Sequence, residues 1–165
     1  MLLRDFCQFH RLALDAFYIR KISQLTHTCL RSENENKGQV NDHRGPLIVT
    51  TILIAEDEAR ISAFIAKGLQ RAGYQTQIAS DGDQALKLAL SDRYDLMLLD
   101  IGLPGLDGWS VLHEIRTRST SPPVIVVTAL DGTGERSHSL ELGANEYVTK
   151  PFRFDELLSR IRRYV

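Results

Sequence analysis

The chain has 165 residues, 43% of them hydrophobic, enough for one buried core with material to spare. Its formal charge of −1 offers no general attraction to nucleic acid or to an anionic membrane, and no apolar run approaches the ~20 residues a spanning helix needs. The two cysteines, Cys7 and Cys29, argue against a disulfide framework and for a reducing compartment, so a cytoplasmic protein is the default expectation.

The charge is unevenly spread. Residues 1–48 hold 7 Lys+Arg against 5 Asp+Glu, whereas residues 49–165 hold 13 against 16. The composition shifts near Gly45-Pro46, and we place a boundary there. Residues 1–48 read as an N-terminal extension. It offers one loosely patterned helix, with Leu12, Leu14, Phe17, Ile19, Ile22 and Leu25, and then a polar stretch from Arg31 that reads as linker or disorder. Cys7, His10, His27 and Cys29 fit no zinc-binding spacing and read as incidental. Val49-Thr50-Thr51-Ile52-Leu53-Ile54 looks like a natural start, because a GTG codon initiates as methionine but reads as valine internally. The extension is therefore expected to be a mis-assigned start outside the folded unit.

From residue 50 to residue 165 the pattern is regular. Ile52 to Ala55 is a short apolar strand. Ala59 to Ala72 has helical periodicity, with Ile61, Phe64, Ile65, Leu69 and Ala72 on one face and Gly73 just past its end. Tyr74 to Ala79 is a second strand, and Asp81-Gly82 leads into a helix with Ala85, Leu86, Ala89 and Leu90. The run Tyr94-Asp95-Leu96-Met97-Leu98-Leu99 is a third, buried strand that ends abruptly in Asp100. Asp107 is placed to cap a helix bearing Val111, Leu112 and Ile115. Pro123 to Thr128 is a fourth strand, followed by a weak helix of about ten residues ending at Gly143. Glu146 to Lys150 is the fifth strand, and the last helix carries Phe154, Leu157, Leu158, Ile161 and Val165. Five strand–helix units of this kind predict an α/β fold, a doubly wound parallel sheet in the order 2-1-3-4-5 with ligands at the carboxyl ends of the strands.

Polar residues gather at those ends. Strand one ends in Glu56-Asp57, strand three in Asp100, strand four in Thr128 and strand five in Lys150. Three carboxylates in one crevice repel unless a cation is present, and hard oxygen ligands with room for water suit Mg²⁺. Lys150 adds a positive charge and Thr128 a hydroxyl donor. That set suits a phosphoryl group on an oxygen of Asp100, with the carboxylate as nucleophile.

Four stretches carry a specific resemblance: Ile52-Leu53-Ile54-Ala55-Glu56-Asp57-Glu58; Leu98-Leu99-Asp100-Ile101-Gly102-Leu103-Pro104-Gly105-Leu106-Asp107-Gly108; Val127-Thr128-Ala129; and Gly143-Ala144-Asn145-Glu146-Tyr147-Val148-Thr149-Lys150-Pro151-Phe152. In that order and spacing the sequence resembles the CheY-like receiver domains of bacterial two-component response regulators, which have this strand order. The end from Phe154 to Tyr164 is most similar to receivers of OmpR-like regulators. The resemblance implies that Asp100 accepts a phosphoryl group from the phosphohistidine of a sensor histidine kinase. It implies that Asp57, Asp100 and the Gly102 carbonyl bind Mg²⁺, with Glu56 acting directly or through water. It implies that Thr128 and Lys150 contact the phosphoryl oxygens, that Tyr147 is an aromatic switch coupled to Thr128, and that a cis peptide before Pro151 aims Lys150 into the site. Further partners implied are a downstream effector domain or protein and a second copy meeting the last two strand–helix units. Neither nucleic acid nor membrane is expected to bind this chain. Glu56 departs from the commoner aspartate of the family.

Each residue alone has a plainer reading. Asp57 and Glu58 suit a helix first turn, Asp100 suits a cap, Lys150 a solvated loop and Tyr147 a half-buried strand. Their coincidence at four strand ends favours the joint reading. His113 and His138 read as surface residues, and Trp109 as helix packing near the site with no ligand role. Two other classes remain as alternatives. One is a phosphate-independent interaction module. The other is an Asp/Mg²⁺ phosphatase, for which Ala55-Glu56-Asp57-Glu58-Ala59 lacks the Asp-x-Asp-x-Thr motif. A nucleotide-binding module would need a glycine-rich turn after strand one, and the sequence has none there. The domain itself is expected to signal without turning over an external substrate.

Overall fold

The structure is a computed structural model describing residues 49–91, 93–118, 122–130 and 132–165, apart from the side chain of Thr133. The loose helix, the Cys/His grouping and the extension expected over residues 1–48 lie outside the described residues.

Five strands, β1 (Thr51–Ala55), β2 (Gln75–Ala79), β3 (Leu96–Leu99), β4 (Val124–Thr128) and β5 (Glu146–Thr149), alternate with α1 (Ala59–Arg71), α2 (Gly82–Ala89), α3 (Gly108–Arg118), α4 (Thr133–Glu141) and α5 (Phe154–Ile161). The strands form one parallel sheet in the order β2-β1-β3-β4-β5, as the sequence pattern predicts. β3 and β4 are buried along their whole length, and β1 is buried except at Thr51, which is why they read as continuous apolar runs. β2 lies at an edge and alternates in burial.

The two-residue period of the strands divides the core. Leu53, Ala55, Met97, Leu99, Val124 and Val126 face one layer with Ala85 and Ala89 of α2 and Val111, Leu112 and Ile115 of α3. Ile52, Ile54, Leu96, Leu98, Ile125 and Val127 face the other, with Ile65 and Leu69 of α1 and Leu157 and Ile161 of α5. One expected core residue is displaced. Phe64 is 53% exposed, because the buried arc of α1 runs through Ser62, Ile65, Ala66 and Leu69. Its ring instead meets Phe154 edge-on, with centroids 6.0 Å apart.

α4 is fastened differently from the other helices. Among its described side chains only Ser139 is buried, and the Ser139 hydroxyl donates to the Glu135 carbonyl within the same helix (2.9 Å). Leu140 is 44% exposed.

At the sheet end remote from the strand carboxyl termini, Arg116 closes the base of α3. Its guanidinium donates to the carbonyls of Gly143 (2.8 Å) and Pro122 (3.0 Å) and to the side-chain oxygen of Asn145 (3.1 Å). That Asn145 oxygen also accepts from the Val124 amide, and the Asn145 carbonyl accepts from the Tyr164 hydroxyl. Burial lowers the Arg116 pKa to about 10. On α5, Arg160 pairs with Glu146 (3.0 Å) and Glu156 (2.8 Å), and Arg163 pairs with Glu146 (3.3 Å).

Candidate functional site

The site is built by letting the sheet's hydrogen-bond ladders run one residue beyond the strands. The Glu56 amide donates to the Ala79 carbonyl, the Asp100 amide to the Ala55 carbonyl and the Lys150 amide to the Thr128 carbonyl, all within 3.0 Å. Glu56, Asp100 and Lys150 therefore spring from backbone positions fixed by a neighbouring strand.

Lys150 is the meeting point. Its Nζ lies 2.5 Å from Asp100 Oδ2 and 2.6 Å from Glu56 Oε2. The second oxygens are also engaged: Asp100 Oδ1 accepts from the Gly102 amide (3.1 Å) and Glu56 Oε1 from the Glu58 amide (3.3 Å). Asp57 is exposed beside them, and one oxygen from each of Glu56, Asp57 and Asp100 lies within 4.8 Å of the others. Glu56 is 3% exposed and Asp100 8%. Burial pushes the Glu56 carboxyl above the usual carboxylate range, aided by the Asp100 charge and opposed by Lys150. Burial pushes Lys150 down, but its hydrogen bonds and charge contacts with Asp100 and Glu56 outweigh that, so its ammonium is held charged above the ordinary lysine range.

Thr128 is 2% exposed at the end of β4, where its hydroxyl oxygen accepts from the Leu130 amide (3.4 Å). Tyr147 lies away from the carboxylates. Its ring is buried in the core, and its hydroxyl donates to the Leu130 carbonyl, so it touches the turn after β4. The Lys150–Pro151 peptide is cis. The structure thus brings Glu56, Asp57, Asp100 and Lys150 into one cluster with the Gly102 backbone against it, sets Thr128 at the adjacent strand end, and puts Tyr147 behind that strand end.

The donor set fits Mg²⁺. It is all hard oxygen, it combines recessed and exposed carboxylates, and the exposed side leaves coordination positions to water.

The loop from Asp100 to α3 is held by its backbone. The Gly108 amide donates to the Ile101 carbonyl, and the Gly82 amide donates to the Pro104 carbonyl. A Cβ at position 108 would overlap the Asp100 carbonyl oxygen and stand 2.6 Å from the Ile101 Cα. Asp107 caps α3 as expected, accepting from the Ser110 amide (3.1 Å) and the Ser110 hydroxyl (2.7 Å). These bonds, the side-chain hydroxyl first, lower the Asp107 pKa. The sequence offered the glycines only as turn signals. It offered no signal for the Glu56–Lys150 pair, or for the contact of Trp109 on α3 with His138 on α4 (ring centroids 4.8 Å apart, 63° between planes).

Comparison with known proteins agrees with this architecture. The family profile described as "Response regulator receiver domain" matches residues 52–162. The Escherichia coli transcriptional regulatory protein HprR is 48% identical over 111 residues, covering 67% of this chain and 49% of HprR. The chain thus spans about half the length of the curated relatives it matches. The receiver domain of the Francisella response regulator 1452 superposes with a TM-score of 0.67 at 36% identity, covering 70% of this chain and 95% of that one. The receiver domain of the Pseudomonas aeruginosa sensor histidine kinase PA1611, solved with a magnesium ion coordinated in its active-site cleft, gives 0.65 at 36% identity over 70% of this chain and 97% of that one. With the sheet order, the acidic cluster and these matches in agreement, the chain belongs to the response regulator receiver domain family.

Proposed function

We propose that this chain is the phosphoacceptor of a cytoplasmic two-component relay. Asp100 takes a phosphoryl group from a phosphohistidine of a sensor histidine kinase. A carboxylate oxygen of Asp100 forms the new bond to phosphorus as the phosphorus–nitrogen bond breaks. The electron pair of that bond returns to the imidazole, and the product is a mixed anhydride. Asp57, Asp100 and the Gly102 carbonyl hold Mg²⁺, with Glu56 alongside. When bound, the ion neutralises charge between the carboxylates and the incoming phosphoryl group. Lys150 and the Thr128 hydroxyl receive the phosphoryl oxygens.

The observation that carries this reading is the convergence of Asp100 and Glu56 on Lys150 Nζ with Asp57 at their side. Such a site can take a developing negative charge and hold it in a partly dehydrated setting.

The added phosphoryl oxygens draw Thr128 and Lys150 into new contacts, and Tyr147 responds through the turn after β4. A shift from 1:99 to 99:1 between two conformations requires about 5.5 kcal/mol of differential interaction, within reach of several charge-assisted hydrogen bonds together. The output surface is α4, β5 and α5, meeting a second copy or an effector domain or protein. HprR is by name a transcriptional regulator, and control of transcription through such an effector is the output we assign. The domain signals and turns over no external substrate.

Asp100→Asn is expected to abolish Mg²⁺-dependent labelling by acetyl phosphate or by a cognate kinase, measured as retention of ³²P or as the mass of a phosphoryl adduct. Undiminished labelling of that variant would remove the assignment. Lys150→Ala is expected to keep binding Mg²⁺ while losing the response of the output surface.

A further inference from the structure

The reading above leaves open how the state of Asp100 reaches α4, which no buried apolar side chain anchors among those described. α1, α2, α3 and α5 are each fixed by apolar side chains in one of the two core layers. A helix without that anchorage takes its position from the few contacts it does make. On α4, among the described residues, the His138 ring meets the Trp109 ring of α3 edge to face.

Trp109 is poised to feel the acceptor. It directly follows Gly108, whose Cα is pressed so closely against the Asp100 and Ile101 backbone that a side chain has no room there. The Gly108 amide is bonded to the Ile101 carbonyl, and the Asp107 side chain caps the same turn. A shift of the backbone at Asp100 therefore passes to Trp109 with no slack. The other approach to α4 runs through the turn after β4, where the Leu130 carbonyl accepts the Tyr147 hydroxyl. Trp109 touches α4 from the acceptor side, and Tyr147 touches the turn leading into it.

We infer that the Trp109–His138 contact is the link that ties the position of α4 to the phosphoacceptor loop, with His138 and Trp109 as positioning residues for the switch. This rests on the phosphoacceptor reading and deepens it. His138 is exposed, so replacing it does not disturb the core.

The test compares the full chain with His138→Ala and His138→Phe by amide hydrogen exchange over residues 133–141, before and after Mg²⁺ with acetyl phosphate. An aromatic pair of this kind predicts exchange about threefold to tenfold faster in His138→Ala before phosphorylation. Labelling of Asp100 should stay within twofold of the parent, while the change in α4 exchange on phosphorylation should shrink to less than half. Emission of Trp109, the single tryptophan, should lose its response in step. His138→Phe keeps an aromatic ring at the contact and should restore both readouts. If His138→Ala shows the parent's basal exchange and the parent's response, the link is refuted. If the parent itself takes no label, the phosphoacceptor reading fails, and the basal exchange comparison alone decides whether the ring contact holds α4.

Discussion

The loop from Asp100 into α3 and the turn from Thr128 into α4 leave the same edge of the sheet, one strand apart, and are held by different means. The first is closed by backbone hydrogen bonds, a glycine packed against peptide atoms and an aspartate cap, and it feeds a helix with Val111, Leu112 and Ile115 in the core. The second exposes Leu130, has no side-chain cap at Gly132, and feeds a helix whose buried described side chain is a serine. On the proposed reading, rigid placement suits the loop that holds reacting atoms in line, because a small misplacement costs rate. On the same reading, weak anchorage suits the turn that moves, because several charge-assisted hydrogen bonds to a phosphoryl group supply a bias of only about 5 kcal/mol. The same sheet edge thus holds one loop that stores geometry and one that spends little to change it.

Substitutions break this contrast in graded fashion. Leu112→Ala on α3 should destabilise the fold by about 2–5 kcal/mol in urea titration, since a fully buried side chain leaves a cavity behind. Gly108→Ala should cost about 1–3 kcal/mol, because the added methyl meets backbone that cannot swing aside. It should also depress the rate of Asp100 labelling more than its stability loss alone would. Asp107→Ala should cost about 0.5–2 kcal/mol near neutral pH. Its folded pKa lies below the ordinary 3.8, so the cap's contribution is present above that value and fades as the pH falls through the lower folded pKa. The parent and Asp107→Ala should then converge in stability in acid, measured by thermal melts across pH 2–6. On the other side, Leu140→Ala should change stability by less than about 0.5 kcal/mol. A large loss there would erase the contrast between the two loops.

The fold was legible because its signals are local and periodic. Runs such as Val124-Ile125-Val126-Val127 announce buried parallel strands, and Gly73 and Gly143, both with positive φ, announce helix ends. The members of the site were legible for the same reason, since a polar residue at the end of each apolar run falls at one sheet edge. What the side chains do once there was not. Lys150 bridging Glu56 and Asp100 depends on reach across two strands, and nothing in the spacing of 56, 100 and 150 encodes it. Phe64 misled because a residue one step from Ile65 sits about 100° around the helix, far enough to leave the buried arc. Trp109 and His138 lie 29 positions apart on helices whose crossing no periodicity reveals.

Arg116 has one further consequence, which concerns ionic strength. Its partners are carbonyl dipoles and an amide oxygen rather than a carboxylate, and it is partly buried. Added electrolyte has little to screen in such a bond, whereas the pairs of Arg160 with Glu156 and of Arg163 with Glu146, each with one exposed partner, weaken once the Debye length shrinks to about 3 Å near 1 M salt. In brine the outer face of α5 would relax first, while the base of α3 kept its hold on the starts of β4 and β5.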